Sequence, residues 1–441
     1  MNLNGQRVAI LGAGGSGLAA AALALSRGAV VEAFDSGDTV KLGPAVAKFA
    51  SLGVTLTCGD AALCPSGRYA LAVISPGIDT AWPIATAFAN ASDALIGEIE
   101  FAYRLSDTPV IAITGTNGKT TTTSLIATML NGCGVSAVAA GNIGLAYSEV
   151  VLSGKRYDWI VLELSSFQLE TISEFAAEIS IWMNFAPDHM DRYQSIADYL
   201  SAKKRLFENL APGSLVIHKL ECEFELPVEV VTFSSFREGA DFGYSNGFIV
   251  HPESGRTFDF LSGTLQGKHN AENVMVALAV ADRIGLPWEK VTGIIHSFVA
   301  PPHRCEKVAV FGGVTYLNDS KSTNLHSLES ALIGQDQPVI LIVGGKNKGL
   351  DFRELREIAG RMVREAVCIG EIAGAIAEDW EGFVICHTAN DLRDAVLIAH
   401  QIAHDGEVVL FSPGTSSFDM FTGYEERGKV FRELVNAIPV A

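Results

Sequence analysis

The chain of 441 residues is 48% hydrophobic and 19% charged, which is enough apolar material for several packed cores and excludes a disordered chain. Its 32 Lys and Arg stand against 50 Asp and Glu, a formal charge of −18, so a polyanion meets net repulsion, and no basic patch in the sequence argues for a nucleic-acid partner. Seven cysteines without a C-x-x-C pair disfavour a disulfide framework or a zinc knuckle and point to a reducing cytoplasmic setting.

At roughly 100–200 residues per domain, the length predicts two to four domains, with three as the starting expectation. The first segment, "VAILGAGGSGLAAAALALS" from Val8 to Ser26, carries no charge over nearly a membrane-spanning length. Its four glycines, each costing a helix about 1 kcal/mol relative to Ala, divide it into a strand, a glycine turn and a helix. No membrane insertion or secretion is expected. The turn Gly12–Gly17 fits G-x-G-x-x-G, and Asp35 ends the next β-branched run, "VVEAFD", at the spacing of a ribose contact. Taken alone, this proposes a nicotinamide-dependent oxidoreductase. "YALAVISPG" comes after a further helical pattern, so strands alternate with helices as in a parallel sheet.

A second series opens at "PVIAITGTNGKT" and runs through "WIVLELSS" and "EISIWMNFAPDH". The turn-rich "LSDTPV" precedes it, and the helical "GEIEFAYRLS" belongs with this second series. A third series begins after "FVAPPHRCE", whose Pro301 and Pro302 restrict the chain. It contains "VAVFGGVTYLNDS", "PVILIVGG", "EAVCIGE" and "EVVLFSPG". The boundaries expected are 1–97, 98–300 and 301–441. The fold expected is α/β in three domains: Rossmann-like at the N-terminus, a central P-loop-type ATPase with a parallel or mixed sheet, and Rossmann-like at the C-terminus.

Between the strand "VIAIT" and a helix near Thr120, residues Thr114–Thr120 aim backbone N–H groups and the positive helix end at an anion. Lys119 reaches terminal phosphates and Thr120 offers its hydroxyl to Mg²⁺. The usual P-loop glycine is absent, because Ile113 occupies its position. A glycine turn that merely joins strand to helix is the competing reading. Thr120–Thr123 are poor helix formers, which favours a demand for hydroxyls at phosphates and metal. A guanine-specific N-K-x-D is missing, since "NKGLD" places Leu350 where Asp should stand; ATP is the nucleotide expected.

"TGTNGKT" resembles the signature of the Mur ligase superfamily. "GNIG" at Gly141–Gly144, "VLELSSFQLE", "NFAPDHMDRY", "HNAEN", "PHR" and "NDSKSTN" are similar to further family motifs in the same order. "LSSFQLE" and "SPGTSSFDMFTGYEERG" look like the branch that adds D-glutamate. The resemblance implies ATP-dependent amide formation between UDP-N-acetylmuramoyl-L-alanine and D-glutamate in cytoplasmic peptidoglycan precursor synthesis, through an acyl phosphate. A monomer is expected, with neither nucleic acid nor membrane as partner.

Residue by residue, the resemblance places Gly115, Thr116, Asn117, Gly118, Lys119, Thr120 and Thr121 around ATP, with Asn270 and Asn273 at a helix start and Arg304, Asp319 and Lys321 from the third domain. His303 and Arg304 sit where a hinge would deliver the arginine to phosphates. Catalytic roles fall to Lys119, Asn142, Glu163, His189 and Lys203. Two Mg²⁺ ions are implied, with Thr120, Glu163, His189 and a CO₂-carbamylated Lys203 as ligands and Lys204 as the alternative lysine. Gly15, Ser16, Asp35, Ser75 and Gly77, with Asn142, would line the UDP-substrate. Thr323, Lys348, Ser417 and Phe418, and more loosely Tyr424, would hold D-glutamate, Lys346 being a near neighbour of Lys348. Read without the family, Glu163 is a solvated strand end, His189 a structural histidine and Lys203–Lys204 a solvated basic face.

Overall fold

A computed structural model of the chain describes residues 1–190, 192–222, 224–265, 267–335 and 337–438. Among the described residues, three sheets carry the fold. In the first, the strands Leu56–Cys58, Val30–Asp35, Arg7–Leu11, Leu71–Ile74 and Leu95–Gly97 lie side by side in that order, all parallel. Both faces are covered: Val8 and Ile10 pack with Leu23, Ala24 and Phe49 on one side, while Ala9 and Leu11 pack with Phe34, Tyr69 and Phe88 on the other. Such double burial explains why these strands read as continuous apolar runs rather than alternating ones. Strand order reverses between Arg7–Leu11 and Leu71–Ile74, which makes the gap at their C-terminal ends a topological switch point.

The second sheet has nine strands: Ala137–Gly141, Trp159–Glu163, Val110–Thr114, Ile179–Trp182, Leu215–Lys219, Glu229–Ser234, Phe242–Ser245, Phe248–His251 and Arg256–Asp259. It is parallel as far as Phe242–Ser245 and turns antiparallel at Phe248–His251. Asn246 and Gly247, both with positive φ (48° and 88°), make the tight turn there, the Asn-Gly pairing that matches strand twist. The helix Lys119–Cys133 starts after left-handed Gly118 and ends at left-handed Gly134. Its threonine-rich first turn is a poor helix former, so burial of Leu125, Ile126, Met129 and Leu130, worth about 1.5–3 kcal/mol per large side chain, holds it.

Helix Glu98–Tyr103 serves two cores: Phe101 packs into that of the first sheet, Ile99 and Ala102 into that of the second. Its buried carboxylates are satisfied. Glu98 accepts from the Ser148 amide at 2.6 Å, and Glu100 accepts from the amides of Ser173, Glu174 and Phe175 at 2.9 Å each and from Arg104.

The third sheet runs Glu306–Phe311, Val314–Asn318, Val408–Phe411, Val339–Gly344, Val363–Ile369, Ile385–Thr388. Its first pair is an antiparallel hairpin turned by Gly312 and Gly313; the other pairings are parallel. By packing, the chain divides into two units, one of Met1–Phe258 and Asn273–Ile295, the other of Asp259–Glu272 and His296 onward. The first unit therefore contains two of the three sheets. Among the described residues, no helix is long and apolar enough to cross a membrane.

Candidate active site

The loop Gly115–Gly118 leaves a central strand and enters helix Lys119–Cys133. Glycine is required at both ends. Gly115 (φ 144°) would set a Cβ 2.9 Å from that of Met183, and Gly118 (φ 84°) one 2.7 Å from Asn273 Oδ1. The loop is held from the next strand end: Asn184 accepts the Asn117 amide at 2.9 Å and donates to the Asn117 carbonyl at 3.2 Å. Thr116 Oγ1 accepts the Ala186 amide at 3.0 Å and lies 3.3 Å from the Tyr199 hydroxyl. Thr122 donates to Asn273 Oδ1 at 3.1 Å, which ties Asn273 to the phosphate-loop helix.

Two lysines meet at this loop. Lys119 donates to the carbonyls of Gly115 (2.9 Å) and Thr116 (2.8 Å), and Lys203 donates to the same Gly115 carbonyl at 2.8 Å. Lys203 is 2% exposed and its ammonium sits 4.8 Å from the centre of the Tyr199 ring. Burial holds its pKa well below the usual lysine value, repulsion from Lys119 adds to this, and Asp188 and Glu163 pull the other way. Lys204 is exposed beside Phe224. Adjacent helical positions point about 100° apart, so only one of the two lysines can face the loop.

Glu163 ends its strand 2% exposed. Asn142 donates its amide to Glu163 Oε1 at 2.9 Å, and its backbone N–H donates to the Glu163 carbonyl at 2.9 Å. His189 occupies a left-handed conformation (φ 57°), with its ring 4.9 Å from Phe167 and 6.0 Å from Tyr199. Thr120 and Thr121 are buried in the first turn of their helix. Among the described residues, no three His, Cys, Asp or Glu side chains converge as a ready-made metal cage.

At the switch point of the first sheet, helix Gly15–Ser26 begins at Gly14 with no side-chain cap, leaving its first amides available to an anion. A Cβ on Gly12 (φ 105°) would meet Ser75 Oγ at 2.6 Å, whereas Gly14 and Gly15 face open space. Among the described residues, Ser75 Oγ is itself buried without a hydrogen-bond partner. Ser16 comes next in the open first turn and Gly77 lies beyond Ser75, again with open space over its Cα. Asp35, expected to contact a ribose, accepts the Ala13 amide at 2.8 Å and the Gly37 amide at 2.8 Å. One oxygen thus braces the glycine turn and the other the loop that follows Asp35 itself.

In the second unit, loops at the ends of three adjacent strands come together. Asp319 accepts from Ser412 Oγ at 2.8 Å and from the Cys305 amide at 3.2 Å; burial raises its pKa to about 7 against those two hydrogen bonds. The backbone of Lys321 bonds the His303 carbonyl at 3.1 Å, and its ammonium lies 4.9 Å from the Tyr424 ring. His303 and Cys305 flank Arg304 with positive φ (67° and 47°). Lys346 exchanges bonds with Ser416 and Thr415 through its backbone, which brings the Lys346–Lys348 loop, exposed at both lysines, beside buried Ser417 and exposed Phe418. Thr323 is half-buried and Asn270 buried.

The Mur ligase middle domain matches residues 113–281, and the Mur ligase glutamate ligase domain matches residues 303–414. The chain is 37% identical to the UDP-N-acetylmuramoylalanine–D-glutamate ligase of Pelotomaculum thermopropionicum over 98% of its own length and 97% of the relative's. It is 39% identical to that of Syntrophotalea carbinolica, over 99% and 98%. The chain belongs to the UDP-N-acetylmuramoylalanine–D-glutamate ligase family. The fold agrees with more distant Mur ligases: the Thermotoga maritima UDP-N-acetylmuramate–alanine ligase superposes with a TM-score of 0.61 at 16% identity, covering 98% of this chain and all of that one. The ADP complex of the Thermotoga maritima MurF ligase does so with 0.59 at 15%, covering 84% and 96%.

Several residues that shape the site in this member of the D-glutamate ligase family have no individual role in the sequence reading. Asn184 and Tyr199 support the phosphate loop directly. Arg427, fully buried, donates to Ser320 Oγ at 3.0 Å, the Ser320 carbonyl at 2.7 Å and the Thr415 carbonyl at 3.2 Å, so it ties the Asp319 and Ser417 loops together. Burial lowers its pKa to about 10 while Asp419 and Asp319 oppose the shift. Asn184, in "NFAPDHMDRY", and Arg427, in "GYEERG", lie inside strings already singled out; what those strings lack is any hint of their partners.

Proposed function

We propose that this chain joins D-glutamate to UDP-N-acetylmuramoyl-L-alanine at the cost of ATP, as its family does, in cytoplasmic peptidoglycan precursor synthesis and as a monomer. The observation that carries the reading is the meeting of two lysines on the Gly115 carbonyl, at a glycine loop opening a helix, with a buried carboxylate at the end of the neighbouring strand. A carboxylate does not accept an amine until one of its oxygens becomes a leaving group. The L-alanyl carboxylate oxygen attacks the γ-phosphorus, ADP leaves, and an acyl phosphate forms. The D-glutamate amine then attacks the acyl carbon, inorganic phosphate departs with the bonding pair, and the nitrogen loses a proton. Catalysis in such a step is mainly positioning and charge neutralisation.

In this reading Lys119 swings from the loop carbonyls to the terminal phosphates, and the amides of Gly115–Thr121 cradle them. Asn142 orients the transferred group through its hold on Glu163. The donor set suits Mg²⁺, a hard cation that takes one or two carboxylates plus phosphate oxygens rather than an all-protein cage. Thr120, Glu163, His189 and carbamylated Lys203 would hold it at two sites, and when bound it would neutralise charge developing on the phosphates. The neutral amine is the form that adds CO₂, and burial of Lys203 shifts its equilibrium in that direction. Asn270, Asn273, Arg304, Asp319 and Lys321 are assigned to the nucleotide. Thr323, Lys348, Ser417 and Phe418 are assigned to D-glutamate, and Gly15, Ser16, Asp35, Ser75 and Gly77 to the UDP-substrate.

The test is ADP release by purified protein supplied with UDP-N-acetylmuramoyl-L-alanine and, in turn, D-glutamate, L-alanine or a diamino acid, with the matching UDP-muramoyl acceptors for the last two. Release that needs D-glutamate is expected. Release with another amino acid instead, or a change in nicotinamide absorbance with NAD(H), would replace the assignment.

A further inference from the structure

Arg192 joins the segment that carries His189 to the loop assigned above to the UDP-substrate. Its side chain is 13% exposed. One terminal nitrogen donates to the Pro76 carbonyl at 3.3 Å; the other donates to Glu170 Oε2 at 2.6 Å and the Ile78 carbonyl at 3.5 Å. Its Nε lies 3.8 Å from Asp79, and the guanidinium stacks 4.3 Å from the Phe167 ring centre. The backbone amides of Arg192 and Tyr193 both bond the His189 carbonyl, at 3.0 and 3.1 Å. The Tyr193 hydroxyl donates to the second oxygen of Glu170 at 2.5 Å.

From there the packing is continuous to the phosphate loop. Phe167 touches His189 and Tyr193 (4.9 and 5.9 Å between ring centres), both touch Tyr199 (6.0 and 5.3 Å), and Tyr199 reaches Thr116 at 3.3 Å and lies beneath Lys203. The planar guanidinium spreads these bonds over two terminal nitrogens, a fixed geometry that lysine's single compact ammonium does not reproduce. We propose that Arg192 is a positioning residue that couples occupancy of the UDP-substrate loop at Ser75–Asp79 to the arrangement of His189 and the phosphate loop, so that the acceptor substrate tightens binding of the nucleotide. The inference rests on the functional reading above. Spatial continuity suggests the route; a coupling free energy is what establishes it.

The experiment measures, by calorimetry, the affinity for a non-hydrolysable ATP analogue with Mg²⁺, in the absence and presence of UDP-N-acetylmuramoyl-L-alanine. In the unaltered protein the acceptor is expected to tighten the analogue by about fivefold or more. In Arg192→Ala that ratio falls to about one while affinity for the analogue alone stays within about twofold, a pattern that a merely structural loss would not give. Arg192→Lys keeps the charge without the fork, is expected to lose the ratio likewise, and carries the test if the alanine variant melts early. A ratio of one in the unaltered protein, or full coupling in a folded variant, overturns the proposal. ADP release by the unaltered protein separates the two claims: with release intact, such a result sinks the coupling alone; without release, the functional reading falls and the coupling with it.

Discussion

Two glycine turns in the first unit solve the same problem differently. The Gly12–Gly17 turn and the Gly115–Gly118 loop each lead from a buried parallel strand into a helix, whose N-terminus suits an anion. Both helices start at a glycine without a side-chain cap, but the first turn has no lysine. The second carries Lys119, four buried threonines and a second lysine on its Gly115 carbonyl. In the proposed reading, one holds a diphosphate that does not react and the other stabilises a phosphoryl group in transit. Strand, glycine turn and helix are common to both, so the proposed chemistry rests on the cations and hydroxyls around the second.

The largest expected effect separates the two at once. Lys119→Ala should lower the rate of ADP release by about a thousandfold and leave the KM for the UDP-substrate within about twofold. An equal loss in both would mean that the two turns are not separate sites. Next comes Lys203→Ala, expected to cost about a hundredfold in turnover, with part of the activity restored by short-chain carboxylic acids that replace the carbamate. Loss of activity without rescue would leave Lys203 only the structural task of holding the Gly115 carbonyl, whereas an unaffected rate would remove it from the site.

Within the N-terminal turn, fold and ligand binding can be pulled apart by adding one methyl group at two places. Gly12→Ala puts a Cβ 2.6 Å from Ser75 Oγ at a φ of 105°, and should destabilise the protein by about 2 kcal/mol or more. Gly15→Ala meets nothing within 4 Å at the start of a helix, where Ala is favoured over Gly by up to about 1 kcal/mol. Its melting temperature should hold or rise, while affinity for the UDP-substrate falls about tenfold because the methyl occupies the anion's side of the turn. Denaturation and substrate titration of both variants give the comparison; unchanged affinity in Gly15→Ala would move the diphosphate elsewhere.

Legibility in the sequence divides along the same line. Strand, glycine turn and helix are encoded locally, by β-branched runs, glycines that alone tolerate positive φ, and Ala/Leu periodicity, so both turns are legible. The Asn246–Gly247 and Gly312–Gly313 hairpins carry local signals as well, yet neither the strands around the first nor the antiparallel edge that the second creates is among the sequence expectations. The choice between Lys203 and Lys204 depends on which face of a short helix is buried, and that is a tertiary fact. Arg427 donates to Ser320, 107 residues away, and Arg192 to Pro76, 116 residues away. In sequence such arginines look like surface charge, because only long-range packing supplies the carbonyls that make their burial tolerable.

The smallest effects test the braces of the two turns, and here the choice between acid and amide has a reason. Asp35 receives two N–H donors, from Ala13 and Gly37, so both of its oxygens must accept. Asn184 meets one donor and one acceptor on Asn117, so it needs an amide. Exchanging the types should injure each turn by the same logic. In Asp35→Asn one N–H faces an NH₂ whichever way the amide is turned. In Asn184→Asp a carboxylate oxygen faces the Asn117 carbonyl. Each is expected to cost about 1–2 kcal/mol in chemical denaturation. The kinetic consequences should diverge: Asp35→Asn raises KM for the UDP-substrate a few-fold and leaves that for ATP unmoved, while Asn184→Asp does the reverse. If both variants shifted both constants equally, the two turns would be acting as one structural element, and the division of labour between a holding site and a reacting site would have to be abandoned.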